Sequence, residues 1–327
     1  MKTIIIDDKV YGWQKINESV LIELIKSVPL QRLKKINQHG TQHITRPDLG
    51  KVNRFEHSVG VMILLRNFNA PLLEQIAGLL HDISHTAFSH VVDHAMGNTI
   101  ADDFHEKFTS QVIQHSTIPK ILKKYHLTFE QLEKTDNLLE KTEPNLCADR
   151  IDYFLRDNLV CYKFLNEQQA KKIVDGLKIF KNNWVFSDEK IALLMAKKFL
   201  QTARYGWYNP QNNGGFHILG KIIRSSLQKK LISTHDLFGD DETLFKKLCR
   251  IQDREIKKQI LILKNLKTEI NFNDYDYLSR LKFRAVDPLI LQNGKIVRLS
   301  KIDGSFKKLF LDFKKYLQKG IPIKILN

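Results

Sequence analysis

Apolar residues recur along most of this chain at helical spacing, and the densest interruption of that pattern falls at residues 79–94, where four histidines and two aspartates stand in a frame of Leu, Ile, Val and Phe. Residues 4–16, broken by Asp7-Asp8 and Gly12, read as strand or turn. Helical spacing follows at 20–25 and 30–36 around a break at Pro29, forming an N-terminal cap, and 40–53 is a loop with Pro47-Asp48 and Gly50. Residues 56–68 predict a helix with Val59, Met62, Ile63 and Leu65 on its apolar side and His57 near its first turn. Residues 72–82, opened by Pro71, predict another that ends on His81 and Asp82. Further helices are predicted at 87–96, 104–115, 129–141 and 146–157, with Asp102 or Asp103 capping the one that carries His105 and Glu106.

The second half continues with a β-hairpin, 177–180 and 184–186 around Asn182-Asn183, then a long helix over 189–208. A Gly/Asn-rich loop at 210–215 leads to an amphipathic helix over 216–232 bearing His217, and 242–268 reads as one long amphipathic helix. Residues 281–291 and 296–299, with turns at Asn293-Gly294 and Asp303-Gly304, predict a small sheet. There is no internal repeat and no low-complexity segment. Together these elements predict a mainly α fold with small β-hairpins and a C-terminal α+β extension, divided into 1–235 (core with N-terminal cap) and 236–327.

Buried imidazoles and carboxylates cost a few kcal/mol each unless they are paired or bound to a metal, so the interrupted frame at 79–94 asks for partners. Eight of the 12 histidines (57, 81, 85, 90, 94, 105, 115 and 126) fall in one part of the chain. A second His-Asp pair at His235-Asp236 stands in a plain context, so the pair alone carries little information. Successive helical side chains point about 100° apart, so His81 and Asp82 reach one ion only where their helix ends.

One set that can close around an ion is His57, His81, Asp82 and Asp149, drawn from three helices. Mixed imidazole and carboxylate ligands suit one divalent metal ion, with Mn, Mg, Fe, Zn and Co all open. Such an ion polarises phosphorus and lowers the pKa of water, which suits hydrolysis of a phosphate ester. His85, one turn beyond His81, and His105 are the acid/base candidates, with Asp93 or Glu106 orienting an imidazolium, and Arg54 offers a planar fork to phosphate oxygens. His94, His115 and His126 read as surface or capping residues, and Asp152 and Arg156, at i and i+4, as a helix salt bridge. His81/His85 lacks the Glu of an HExxH metalloprotease.

Composition bounds the rest. Three cysteines without a CxxC pair imply neither a disulfide scaffold nor a cysteine zinc site, and no run approaches the length that spans a bilayer, so a cytoplasmic location without membrane association is expected. Residues 1–165 hold 20 Lys+Arg and 20 Asp+Glu, whereas 166–327 hold 32 and 16, so the whole net charge of +16 lies in the second half. That asymmetry fits either a polyanionic partner, such as a nucleotide or nucleic acid, or lysine-rich solvated helix faces.

Taken in order, Arg54-Phe55-Glu56-His57-Ser58, Leu80-His81-Asp82-Ile83-Ser84-His85, Phe88-Ser89-His90, Phe104-His105-Glu106 and Asp149-Arg150-Ile151-Asp152-Tyr153 resemble the motifs of the HD-domain phosphohydrolases. They look closest to the branch of deoxynucleotide triphosphohydrolases of the SAM-and-HD-domain and dGTPase type, whose FQRLRxIxQ segment is similar to Leu30–Gln38, and the resemblance covers residues 4–235. It implies an HD-domain helical core, a metal held by His57, His81, Asp82 and Asp149, and catalytic assistance from His85, Asp93 and His105. It implies phosphate contacts from Arg54 and Arg150, sugar or base contacts from Gln38, His90, Tyr153 and Asp157, and a homo-oligomer with nucleotides bound between subunits. Family members of that type release triphosphate from dNTPs by attack of metal-activated water on the α-phosphorus.

Departures from the family pattern are Ser84 and Thr86-Ala87 in place of Gly and Gly-Pro, His39 in place of an apolar residue after Gln38, and Lys26 where guanine-activated relatives carry Asp. No SAM domain and no GYP motif is present. The expected activity is dNTP hydrolysis to deoxynucleoside and triphosphate. The alternatives are an HD-type phosphodiesterase or nuclease on nucleic acid, which the basic second half would also explain, and a nucleotide- or nucleic-acid-binding regulator with a vestigial site.

Overall fold

The computed structural model describes residues 3–97, 103–134 and 138–326. Strands β1 (Ile4–Asp8) and β2 (Gly12–Ile16) form an antiparallel hairpin. Helices α1 (Ser19–Lys26) and α2 (Val28–Arg32) follow, with Pro29 accommodated in the first turn of α2, where its missing amide leaves no bond unmade. The segment read as a loop contains one helical turn, α3 (Gln42–Thr45). Then come α4 (Arg54–Asn67), α5 (Leu72–Leu80), α6 (Val91–Met96), α7 (Thr109–Gln114), α8 (Ile118–Lys124), α9 (Phe129–Glu133), α10 (Ala148–Asp157) and α11 (Glu167–Gly176). The cap expected of Asp102 lies outside the described residues.

The predicted hairpin is present as β3 (Leu177–Phe180) and β4 (Asn183–Phe186), with Lys181 and Asn182 both at positive φ in its turn. Beyond it lie α12 (Glu189–Thr202), α13 (Pro210–Gln228), α14 (Thr234–Leu237), α15 (Asp241–Arg250), α16 (Arg254–Lys264), β5 (Lys267–Ile270), β6 (Tyr277–Ser279), β7 (Leu289–Gln292), β8 (Lys295–Arg298), α17 (Leu299–Ile302), α18 (Gly304–Gln318) and β9 (Ile321–Leu326). The protein is thus mainly α with small sheets, as expected. Strands order as β3-β4-β7-β8, with β7 running parallel to β4, and as β5-β9-β6. Among the described residues no helix is long and apolar enough to cross a membrane.

Several elements differ from the sequence pattern for local reasons. The predicted loop at 210–215 is the first turn and a half of α13: the Asn209 side chain accepts from the Gln211 amide at 2.8 Å, and Pro210 at the first position fixes φ for the helix. Its glycines serve packing, since a Cβ on Gly215 would lie 2.3 Å from Thr41 Oγ1. The long helix over 242–268 is broken before Asp253, whose carboxylate accepts from the amides of Glu255 and Ile256 and so starts α16 anew, and the chain after Asn265 turns into β5. Helix α6 begins only at Val91 because Phe88 and Ser89 take left-handed backbone at φ 61 and 50. Likewise Asp303 closes no sheet turn; it accepts from the Phe306 amide at 2.8 Å and caps α18, a helix the pattern did not predict.

Helix α4 is the centre of the molecule and is buried on all sides. Val61, Leu64 and Leu65 pack with Ile151, Phe154 and Phe199, whereas Val59, Met62 and Ile63 pack with Leu24, Leu33 and Leu79. The first of these cores continues into Ala285, Val286, Ile290, Phe306 and Phe313, so the C-terminal residues share it. A third core joins Phe88, Val91 and Val92 to Ile218, Ile222 and Leu244.

The buried Asp241 carboxylate ties that last core to the histidine-rich stretch by accepting from Phe88 N at 2.6 Å and from Asn37 N and Nδ2 at 2.9 and 3.1 Å. Asp241→Ala strands buried donors, so it is expected to destabilise the fold by roughly 2–4 kcal/mol and lower the melting temperature by several degrees, measured by calorimetry. An unchanged melting temperature would show that these three bonds are replaced by water.

Candidate metal centre

Three helix ends converge on one point. Asn53 caps α4 by accepting from Glu56 N at 2.9 Å while Glu56 returns a bond to Asn53 N at 3.1 Å, which sets His57 one turn inside. Helix α5 stops at Leu80, so His81 and Asp82 lie in the turn beyond it, free of the 100° separation a continuing helix would impose. Asp149 lies in the first turn of α10, where the helix dipole favours its negative charge.

The side chains meet accordingly. His57 Nε2 lies 2.9 Å from Asp149 Oδ1 and 3.3 Å from His81 Nε2. His81 Nε2 is 3.5 Å from Asp82 Oδ1 and 3.6 Å from Asp149 Oδ1, and His57 Nε2 is 3.8 Å from Asp82 Oδ2. The four residues expected as metal ligands are therefore brought together.

The opposite ring nitrogens decide whether this set suits a cation. His57 Nδ1 is 2.8 Å from Asp152 Oδ2 and His81 Nδ1 is 2.8 Å from the Gly78 carbonyl, both acceptors, so each ring carries its proton at Nδ1. Two Nε2 lone pairs and two carboxylates then face each other, an arrangement that needs a positive charge at its centre. Without an ion that charge is a proton: burial opposes it, but the Asp82 and Asp149 carboxylates hold His81 up at about 10 and His57 above its ordinary value. A divalent cation fits the same donor set.

Behind the ligands runs a buried ionic chain. Asp152, with no solvent exposure, accepts from Arg156 Nε at 2.9 Å and Nη2 at 2.8 Å, and Arg156 Nη2 reaches Asp8 Oδ2 of the N-terminal hairpin at 3.0 Å. Asp152–Arg156 is the i,i+4 pair read from the sequence, but its larger role is to hold His57, which that reading missed. Gly60 makes room for it, since a Cβ there would stand 1.9 Å from Arg156 Nη2.

Above the centre opens a cavity of about 550 Å³. One wall carries the acid/base candidates. The rings of His85 and His105 stack at 3.6 Å, with His90 edge-on to both, and His85 Nε2 is 3.4 Å from Asp82 Oδ1. Burial, helped by Arg54 and neighbouring histidines, pushes His85 well down, and burial and His90 push His105 down to about 3, so both rings are neutral at pH 7. Their Nδ1 atoms are buried without a hydrogen-bond partner. Asp93 accepts from Phe104 N at 2.9 Å and lies 3.3 Å from His90 Nδ1, so the histidine it contacts is His90 rather than the His85 or His105 that the sequence suggests. Arg54 donates to Asp82 Oδ2 at 2.8 Å and to Ser89 Oγ at 3.0 Å.

Gln38, Tyr153 and Asp157 also line the cavity, each with an unpartnered polar atom: Gln38 Oε1, Tyr153 Oη and Asp157 Oδ1. Asp157 Oδ2 accepts from Trp207 Nε1 at 2.7 Å and lies 2.9 Å from His39 Nε2. Arg150 lines the cavity but holds the preceding loop: Nη1 donates to the carbonyls of Lys141 and Asn145, and Nη2 pairs with Glu143 at 3.1 Å. His94, read as a surface residue, lines the cavity too, whereas His115 is exposed and bonded to its own helix. Trp207, Lys282 and Arg284, also in the lining, had no signal in the sequence.

Comparison with known proteins places these residues in a family. The HD domain model matches residues 54–157. The YdhJ protein of Bacillus subtilis is 37% identical over 98% of this chain and 99% of its own length. The metal-dependent phosphohydrolase Cns2 of Cordyceps militaris is 37% identical over 68% of this chain and 66% of its own. The deoxynucleoside triphosphate triphosphohydrolase SAMHD1 homolog of Dictyostelium discoideum is 21% identical over 89% of this chain and 62% of its own. A crystal structure of a hypothetical protein from Aquifex aeolicus superposes with a TM-score of 0.69 at 18% identity, covering 98% of this chain and 95% of that one. The chain belongs to the HD-domain metal-dependent phosphohydrolases.

Asp152→Asn keeps the volume but weakens the grip on His57 Nδ1. Substitutions at such supporting positions weaken metal binding by about 10–100-fold, and that loss is expected here, read as metal content after dialysis against a competing chelator. Full metal retention would show that Asp152 supports the fold alone.

Proposed function

We propose that this HD-domain phosphohydrolase acts on nucleotides and hydrolyses deoxynucleoside triphosphates to deoxynucleoside and triphosphate, using one divalent ion held by His57, His81, Asp82 and Asp149. The observation that carries the reading is the meeting of these four side chains, with His81, Asp82 and Asp149 lining a cavity of about 550 Å³ and His57 buried behind them, a volume within the range that takes a small nucleotide-sized ligand. The activity named for the Dictyostelium relative, deoxynucleoside triphosphate triphosphohydrolase, supports the triphosphate substrate.

The ion supplies Lewis-acid polarisation of a phosphate oxygen and a lowered pKa for water. The chain's own groups do the rest. Arg54, fixed by Asp82 and Ser89, presents a planar cation beside the floor and restrains the Asp82 carboxylate. His85 and His105, neutral in the unliganded protein, sit where an anionic phosphate would favour their protonation, and each has an uncommitted Nδ1 with which to protonate or hydrogen-bond the leaving oxygen. Asp93 positions His90 against them. Gln38, Asp157 and Tyr153 offer polar atoms to the sugar and base.

Incubation of the pure protein with each of the four dNTPs and Mn or Mg, with phosphate products separated by chromatography, tests the reading. Free triphosphate supports it, whereas degradation of single-stranded DNA or RNA without triphosphate release favours a nuclease. His81→Ala and Asp82→Ala are expected to abolish turnover together with metal binding. His105→Ala is expected to lower turnover on the order of 10²–10⁴-fold while metal content is unchanged, the usual range for a lost acid/base group. A metal-stripped protein with undiminished turnover would rule the mechanism out.

A further inference from the structure

We infer that Lys282 and Arg284, far beyond the HD-domain match, form an oligophosphate-binding wall of the cavity, so that the C-terminal part of the chain completes the substrate site. This rests on the phosphohydrolase reading above and names the part of the substrate these residues take: the phosphates distal to the metal centre.

The two cations are the basic cavity-lining residues contributed by the whole of 166–327. They lie in a stretch without helix or strand, between β6 and β7, yet its backbone is pinned on both sides. The Tyr208 hydroxyl donates to the Lys282 carbonyl at 2.5 Å and accepts from Arg284 N at 3.1 Å. Asp287 N donates to the Pro144 carbonyl at 2.9 Å, which ties the stretch to the end of the loop from Glu140 to Glu143 that also lines the cavity. Ala285 and Val286 are buried in the first core.

Phe283 packs against Phe310 and Phe313 of α18, whereas Lys282 and Arg284, one residue to either side of it, line the cavity. Their charges are felt by groups of the HD core across that space. Burial raises Glu106 and Lys282 opposes the rise; burial raises Tyr153 to about 12 and Arg284 is among the cations opposing it.

The cavity has a need for such cations. Glu106 and Glu140 also line it and, with Asp82 and Asp149, would repel a polyanion entering beside the metal centre. Arg150 cannot answer that repulsion with its Nη atoms, which are committed to Glu143 and the loop carbonyls. Lys282 makes no side-chain ion pair among the described residues, and Arg284 adds a second positive charge to the cavity lining.

The test uses the metal-loaded full chain and inorganic tripolyphosphate as the probe, titrated by calorimetry, beside steady-state hydrolysis of dNTPs. Lys282→Gln and Arg284→Gln are each expected to weaken tripolyphosphate binding about tenfold or more, the scale of one lost charge-assisted bond, with a parallel fall in kcat/KM. Both side chains are half-buried at the cavity rim, so melting temperature and metal content should match the wild type, and Lys282→Arg should restore most of the affinity. Wild-type tripolyphosphate affinity in a folded, metal-loaded double variant overturns the inference, as does absence of tripolyphosphate binding to the wild type. A wild type that binds tripolyphosphate through these residues but releases none from dNTPs upholds the wall and removes the proposed reaction. Triphosphate release with unchanged kcat/KM in the double variant does the reverse.

Discussion

Asp152 carries a negative charge in the dry centre of the molecule, and the arrangement around it is what desolvation of that charge requires. A carboxylate without exposure survives only when its lone pairs are taken by donors. Arg156 takes two of them and His57 a third, which fixes the His57 ring with Nε2 toward Asp149 and His81. Arg156, itself fully buried, then needs a second anion, and Asp8 at the end of β1 supplies it. One chain of charge thus links the N-terminal hairpin, α10, α4 and the ligand set, and the side chain missing at Gly60 is the space it occupies. Local order at the metal centre and long-range order in the fold are the same set of bonds.

The candidate metal site and the cavity above it are built on different terms. The floor is rigid because its residues sit at helix ends backed by cores on both sides of α4. The walls come from distant segments, held by single polar anchors: Trp207 and His39 on Asp157, Asp93 on His90, Tyr208 on the stretch before β7. Such a division suits an enzyme whose chemistry is common to a family and whose substrate preference is local. His39 illustrates it. Its pairing with Asp157 puts a buried polar edge on the wall; burial opposes its protonation, but the carboxylate raises it to about 10.

Legibility followed the range of the signal. The helical core was readable because α4, α5 and α10 carry three-to-four-residue apolar spacing, and the four ligand candidates were readable because His57, His81-Asp82 and Asp149 interrupt that spacing at helix ends. Asp152 and Arg156 are a neighbouring pair on one helix, as the spacing predicts, but sequence spacing cannot show that Asp152 Oδ2 is shared between Arg156 Nε and a histidine nearly a hundred positions earlier. The break before α16 and the early start of α13 each turned on one side-chain cap, at Asp253 and Asn209, that competes with an uninterrupted pattern. Helix α18 was hidden by its Asp303-Gly304 start, which has the composition of a turn. Lys282 and Arg284 had no local signature at all, since what makes them part of the cavity is a hydroxyl bond from Tyr208 and the packing of Phe283.

The charge asymmetry of the chain can now be resolved by position. The second half holds all of the excess positive charge, yet only Lys282 and Arg284 of its basic residues line the cavity. Others, such as Lys246, Lys247 and Lys229, pair with Glu242, Asp236 and Asp253 on exposed faces, where an ion pair contributes little to stability. Their effect is collective instead. A surplus of exposed cations raises the local concentration of anions within about a Debye length, roughly 8–10 Å at physiological salt. Any attraction of a polyanion by the many exposed lysines would therefore be sensitive to salt, whereas the retention proposed for Lys282 and Arg284 depends on two half-buried groups lining the cavity.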